Sequence, residues 1–211
     1  MDGREHVPIL SAWRYKRRVK FNKIKIYQMN EEIIIAGFGG QGVLSMGKIL
    51  AYSGVMQEME VSWLPSYGPE MRGGTANVTV ILSDNRISSP ALKKYDTAII
   101  LNQQSMDKFE ASVKPGGMLI YDGNGITHHP QRKDISIYRV DATQEAAVMK
   151  NLKIFNMIVL GAYLKLKPIV SMDNVMNGLK KSLPERHHKL LPENEKAIIR
   201  GTEIVQTIHK V

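Results

Sequence analysis

The 211-residue chain contains no cysteine. That absence excludes disulfides, thiolate zinc sites, a cysteine nucleophile and iron–sulfur clusters ligated by the chain itself. If the protein works in electron transfer, another chain must hold the clusters. Long apolar runs are missing as well. The longest, 154–164, is about half of what a bilayer span requires and is interrupted by Asn156 and Gly161. The N-terminal stretch lacks the apolar core and small-residue cleavage site of a secretory signal. A chain with twelve methionines and no cysteine suits a reducing compartment, and a cytoplasmic location without membrane attachment is expected.

Acidic residues are outnumbered, 20 against 29 basic, for a net charge of +9. Such a balance suggests a nucleic-acid partner until it is located. Residues 1–28 hold Arg4, Arg14, Lys16, Arg17, Arg18, Lys20, Lys23 and Lys25 against Asp2 and Glu5, eight minus two, or +6. The remaining 21 basic and 18 acidic residues give +3. Residues 29–211 therefore read as one nearly neutral domain without a basic stripe, and nucleic-acid binding is not expected. Three readings stay open for residues 1–28: a basic docking arm, an organellar transit peptide, or a segment outside the mature protein, with translation starting at Met29.

The rest of the chain alternates short apolar runs with amphipathic stretches, the pattern of an α/β domain. Strands are expected at Glu32–Ala36, Glu58–Leu64, Thr75–Leu82, Asp96–Leu101, Met118–Tyr121 and Ile135–Val140. Helices are expected at Val43–Ser53, Thr143–Lys150, Ile154–Leu166, Ser171–Lys181 and Glu193–Ile208. The connection between the second and third strands is about ten residues, short for a parallel crossover. The expected fold is a three-layer α/β/α, Rossmann-like domain. Its sheet is mostly parallel with at least one antiparallel strand.

Gly37-Phe38-Gly39-Gly40-Gln41-Gly42 lies between a strand and a helix, the context of a nucleotide-binding turn. Glycine permits a tight turn and lets an anion approach the amides of a helix N-terminus. An NAD site also wants an acidic residue at the end of the second strand. That region reads Val61-Ser62-Trp63-Leu64, with Glu58 and Glu60 near the strand's start. NAD is therefore disfavoured. Gly42–Lys48 also fits G-x-x-x-x-G-K, but Ile49 stands where a P-loop needs Ser or Thr, and the apolar spacing is helical. ATP hydrolysis is disfavoured too.

The most specific stretch is 61–78. Pro65, Gly68, Pro69, Gly73 and Gly74 specify its backbone tightly, while Trp63, Tyr67, Glu70 and Arg72 place large or charged groups in the loop. Taken with the glycine turn, Ser66-Tyr67-Gly68-Pro69-Glu70-Met71-Arg72-Gly73-Gly74 resembles the gamma subunit of 2-oxoacid:ferredoxin oxidoreductases. The likeness continues through Ile87–Pro90, Leu101–Gln103, Pro115–Gly117 and Asn156–Ala162, and covers residues 31–205. The wording Trp63-Leu64-Pro65-Ser66-Tyr67 is most similar to the 2-oxoglutarate (2-oxoglutarate synthase) type, with the pyruvate and branched-chain enzymes as alternatives.

The resemblance implies a chain inactive alone within a complex that makes acyl-CoA, carbon dioxide and reduced ferredoxin. It implies alpha and beta partners, a ferredoxin-like delta subunit as a further candidate, and ferredoxin as acceptor. Thiamine diphosphate, Mg and iron–sulfur clusters would belong to those partners, with coenzyme A as co-substrate. The residues agree independently: there is no Gly-Asp-Gly thiamine signature, and Asp122-Gly123-Asn124 reads as a turn. The expected role is assembly and coenzyme A contact, with no catalytic residue. The contact residues would be Gly37, Phe38, Gly39, Gly40, Gln41, Gly42, Ser66, Tyr67, Arg72, Gly73 and Gly74. His128-His129 and His187-His188 are adjacent pairs whose members point different ways, so no metal site is expected.

Overall fold

A computed structural model describes residues 29–67 and 74–211. The basic N-terminal segment lies outside the described residues, and so do Glu70, Arg72 and Gly73 of the loop. The organising element is β1 (Asn30–Phe38), in which Ile33, Ile34, Ile35 and Ala36 are all fully buried. A β-branched run buried on both faces belongs in the middle of a sheet with cover on each side. β1 takes that place. It pairs antiparallel with β3 (Thr75–Ser83) and parallel with β4 (Tyr95–Ile100).

Beyond β3 lies the edge strand β2 (Glu60–Tyr67); beyond β4 come β5 (Val113–Asp122), β6 (Ser136–Val140) and the edge strand β7 (Gln206–His209). The order is β2-β3-β1-β4-β5-β6-β7. Five of the seven strands run one way, with β3 and β7 opposed. The short β2–β3 connection is thus a hairpin, as its length predicts.

The two faces are covered unequally. Ile33, Ile35, Val80, Ile99 and Ile120 face α1 (Val43–Met56), α3 (Ala142–Val148), α4 (Phe155–Leu166), α5 (Met172–Ser182) and α6 (Leu191–Ile204). Ile34, Ala98, Ile100, Leu119 and Tyr121 face one short helix, α2 (Gln103–Phe109), together with Leu92, Ile126 and Ile135 from connecting segments. No described helix is long and apolar enough to cross a membrane.

Four expectations need correction. The last helix stops at Ile204 rather than 208, because Val205 turns extended and Gln206–His209 pairs antiparallel with β6. An open sheet edge overrides helical spacing in a β-branched run. Helix α2 has no counterpart in the periodicity reading: it has seven residues and is held by its N-cap, Asn102 Oδ1 accepting from Ser105 N at 2.8 Å. The second strand starts later and runs further than expected. Glu58 adopts a left-handed φ of 61°, and Pro65 is accommodated because β2 is an edge strand. The helix expected at 143–150 ends at Val148, with Lys150 at φ 57°.

Candidate functional site

The glycine turn caps the C-terminal end of β1. Gln41 N donates to Phe38 O at 3.1 Å and closes a four-residue turn. Gly40 (φ 98°) and Gly42 (φ 74°) both occupy the left-handed region that glycine enters without strain. Gly42 is also the N-cap of α1. Having no side chain, it offers the helix no cap, and no acidic residue stands in the first turn. The first helical bond runs from Met46 N to Gly42 O at 2.9 Å. The amides of Val43, Leu44 and Ser45 therefore lie outside the helix's own bonds, at the positive end of its dipole.

A cleft of about 420 Å³ opens at this point, lined by Phe38, Gly39, Gly40, Gly42, Val43, Leu44, Ser45 and Ala76. Its walls are mostly apolar, and amides ring its helical end. An anionic group with an uncharged organic tail suits that combination.

The second sequence motif reaches the same place. Gly39 N donates to Gly74 O at 2.9 Å, and Phe38 and Gly37 pair with Thr75 and Ala76. Ser66 and Tyr67, the last residues of β2, pair with Asn77 and Ala76. The fold thus brings both ends of segment 66–74 to the glycine turn, although 29 positions separate Gly37 from Ser66 in sequence. Gln41 is placed differently from the other turn residues. Its Oε1 accepts from Phe38 N at 2.6 Å and its Nε2 donates to Leu101 O at 3.3 Å, so it staples the turn to the residue that follows β4. Asn156, buried at the start of α4, closes the rear: its Nδ2 donates to Gly42 O at 3.4 Å. A Cβ on Gly42 would strike that amide.

Two nucleotide readings disagree with this geometry. In a dinucleotide fold the second strand lies parallel beside the first and ends in the ribose-binding acid. Here β3 intervenes, antiparallel, and β2 ends in Pro65-Ser66-Tyr67. The P-loop pattern fails because Val43 onward is helix rather than cradle. Among the described residues, no three His, Cys, Asp or Glu side chains are grouped to hold a metal. His129 Nδ1 instead lies 3.3 Å from Tyr121 Oη, and His188 Nε2 lies 3.1 Å from the Lys180 and Leu183 carbonyls.

The helix-end contacts at Val43, Leu44 and Ser45, and Ala76 opposite them, are the lining residues that motif reading missed. The available signal was a helix starting directly after Gly42 with neither a capping side chain nor an acid in its first turn.

A model of the pyruvate ferredoxin/flavodoxin oxidoreductase family matches residues 32–204. The chain belongs to that family. The resemblance to gamma subunits of 2-oxoacid:ferredoxin oxidoreductases is borne out by its relatives. Among them is the 2-oxoglutarate synthase subunit KorC of Methanocaldococcus jannaschii, 32% identical over 196 residues, covering 92% of this chain and 99% of that protein. The ketoisovalerate oxidoreductase subunit VorA of Methanothermobacter thermautotrophicus is 50% identical over 88 residues. That match covers 42% of this chain and only 18% of VorA.

Solved structures give the same fold. The gamma subunit of a keto/oxoacid ferredoxin oxidoreductase from Geobacter sulfurreducens superposes with a TM-score of 0.70 at 28% identity, covering 82% of this chain and 96% of that one. The 2-oxoglutarate:ferredoxin oxidoreductase of Magnetococcus marinus, solved with 2-oxoglutarate, coenzyme A and succinyl-CoA bound, superposes at 0.75. At 24% identity, and with 83% of this chain on 31% of that one, it speaks for the fold alone.

Proposed function

We propose that this chain is the gamma subunit of a 2-oxoglutarate:ferredoxin oxidoreductase and that its glycine turn receives coenzyme A. The observation that carries the substrate class is the end-to-end similarity to KorC, across 92% of this chain and 99% of that protein. Thiamine diphosphate, Mg and iron–sulfur clusters held by partner subunits would supply the decarboxylation and electron transfer. This chain's part is binding and orientation. The Val43, Leu44 and Ser45 amides take the coenzyme's pyrophosphate, and the apolar wall of Phe38, Leu44 and Ala76 takes the start of its uncharged arm. Ser66 and Tyr67 end β2 beside the glycine turn and Gly74 bonds to Gly39, and Arg72 lies between them in the sequence. Its guanidinium is the group in that segment suited to a bidentate grip on phosphate.

The complex reconstituted with its thiamine- and cluster-bearing subunits should reduce ferredoxin in a reaction that requires both coenzyme A and 2-oxoglutarate. A preference for 3-methyl-2-oxobutanoate would move the assignment to the branched-chain enzyme, the reading favoured by the local 50% identity to VorA. Turnover by this polypeptide alone would overturn the subunit role.

A further inference from the structure

Gln57, just past the end of α1, is tied to the start of α5. Its Nε2 donates to Ile169 O at 2.6 Å, and its Oε1 accepts from Ser171 N at 2.7 Å. Midway along the pair, Gly178 packs against Ser53 and Ile49. The two helices therefore run antiparallel. The last turn of α5, which leads into the connection to α6, is thus directed toward the end of α1 that carries the glycine turn, and Leu183 and Leu44 both pack against the large core on that face of the sheet.

That arriving segment is basic. Residues 180–189 contain Lys180, Lys181, Arg186 and Lys189 against the single acid Glu185, four minus one, or +3. This equals the net charge of all of residues 29–211, 21 minus 18, so the rest of the domain is neutral. All four cations are exposed, and none forms an ion pair among the described residues. Two lysines in the last turn of a helix are ordinary complements to its dipole. Lys189 likewise sits in the last turn of a short 3-10 helix, Glu185–Leu190, but Arg186, near that helix's start, has no such explanation. The backbone that carries them is held, since His187 N donates to Pro184 O at 2.8 Å and the His188 ring seats against the Lys180 and Leu183 carbonyls, while the Arg186 side chain leans on His187, its Nε donating to Nε2 at 3.2 Å.

We propose that Lys180, Lys181, Arg186 and Lys189 form a phosphate-binding strip that takes the 3′-phosphate of coenzyme A. The inference rests on the coenzyme A reading of the glycine turn. Three helix-end amides suffice for a pyrophosphate. The phosphomonoester on the coenzyme's ribose carries close to two further charges and wants cations of its own. The strip supplies them at the same end of the fold. Because these groups are exposed, their attraction falls as salt rises.

The test uses the assembled enzyme, with coenzyme A and 3′-dephospho-coenzyme A as alternative substrates. The KM for the dephospho form should exceed that for coenzyme A roughly tenfold at low salt. The triple variant Lys180→Gln, Lys181→Gln, Arg186→Gln, which leaves only Lys189 of the strip, should lift the KM for coenzyme A most of the way to the level of the dephospho form and leave the latter unchanged. An unaltered ratio between the two substrates in the variant overturns the strip. Ser45→Asp, which sets a carboxylate at the start of α1, separates the two levels of inference. If it raises both KM values while the triple variant leaves their ratio intact, only the strip is lost. If neither variant moves the KM for coenzyme A, the glycine-turn reading falls with it.

Discussion

Gly161 on α4 and Gly201 on α6 notch one another's helices. A Cβ on Gly161 would collide with the Ile198 carbonyl oxygen, and one on Gly201 would collide with the Ile158 carbonyl oxygen. The reciprocal contact lets the two backbones touch, so that α6 seals the buried face of α4 with Ala197 and Ile198. The obstacle at each glycine is main chain, which cannot rotate away. Gly201→Ala should therefore cost about 3 kcal/mol, the upper end of the usual overpacking penalty. Urea unfolding of the subunit would measure it. A loss below about 0.5 kcal/mol would mean that the helices separate freely.

Tyr163, one turn from the end of α4, carries a hydroxyl that is buried without a hydrogen-bond partner among the described residues. Burial pushes its ionisation well above the usual tyrosine range, and the nearby Glu31 and Asp96 carboxylates add to the effect. The phenol is thus neutral in the fold, and its polar atom is a cost. Tyr163→Phe should stabilise the protein by about 1 kcal/mol. A drop in melting temperature instead would reveal a bound water or other partner at the hydroxyl.

What could be read in advance was what local residue order controls. The Ile33–Ile35 run announced a central strand, and the glycine turn sits where its pattern put it, between strand and helix. The hairpin followed from connection length alone. What stayed hidden depends on distant partners. Asp96 reads locally as a turn or cap residue, yet it accepts from Glu32 N at 3.0 Å and from Lys114 Nζ at 2.7 Å, clamping three strands. Gln41 looks like a ligand contact in the motif, but the Leu101 carbonyl draws it inward. The cations of 180–189 are clustered in sequence, but their direction toward the glycine-turn end of α1 comes only from the antiparallel packing of α5 on α1.

Asp122 closes β5 and is almost fully buried. Desolvation pushes its carboxyl above the ordinary aspartate range, while bonds from Thr143 Oγ1 at 2.5 Å and Thr143 N at 3.3 Å hold it down in part. An acid whose folded pKa lies above its unfolded value binds its proton more tightly when folded. Its contribution to stability is therefore most favourable at low pH and declines as pH rises through the folded pKa. Thr143→Val removes the hydroxyl donor and should raise the carboxyl further, moving that decline to higher pH. Carbon-detected NMR titration of Asp122 in both proteins checks the order. A midpoint that falls in the variant would show that the threonine is not the group opposing burial.

Ser45 stands at the third helical position of α1, exposed beside an uncapped, acid-free N-terminus. An aspartate there should help the helix, because a carboxylate near the dipole's positive end contributes about 0.5 kcal/mol. The same charge would face any phosphate held by the Val43, Leu44 and Ser45 amides. At a separation of about 5 Å and an effective dielectric constant near 20, the repulsion is about 3 kcal/mol before salt screening. Ser45→Asp should thus raise thermal stability slightly while raising the KM for coenzyme A roughly ten- to hundredfold, with turnover at saturation little changed. The opposed directions matter, since a damaged fold would lower both stability and affinity. A stabilised variant with an unchanged KM would leave the start of α1 without an anion to bind.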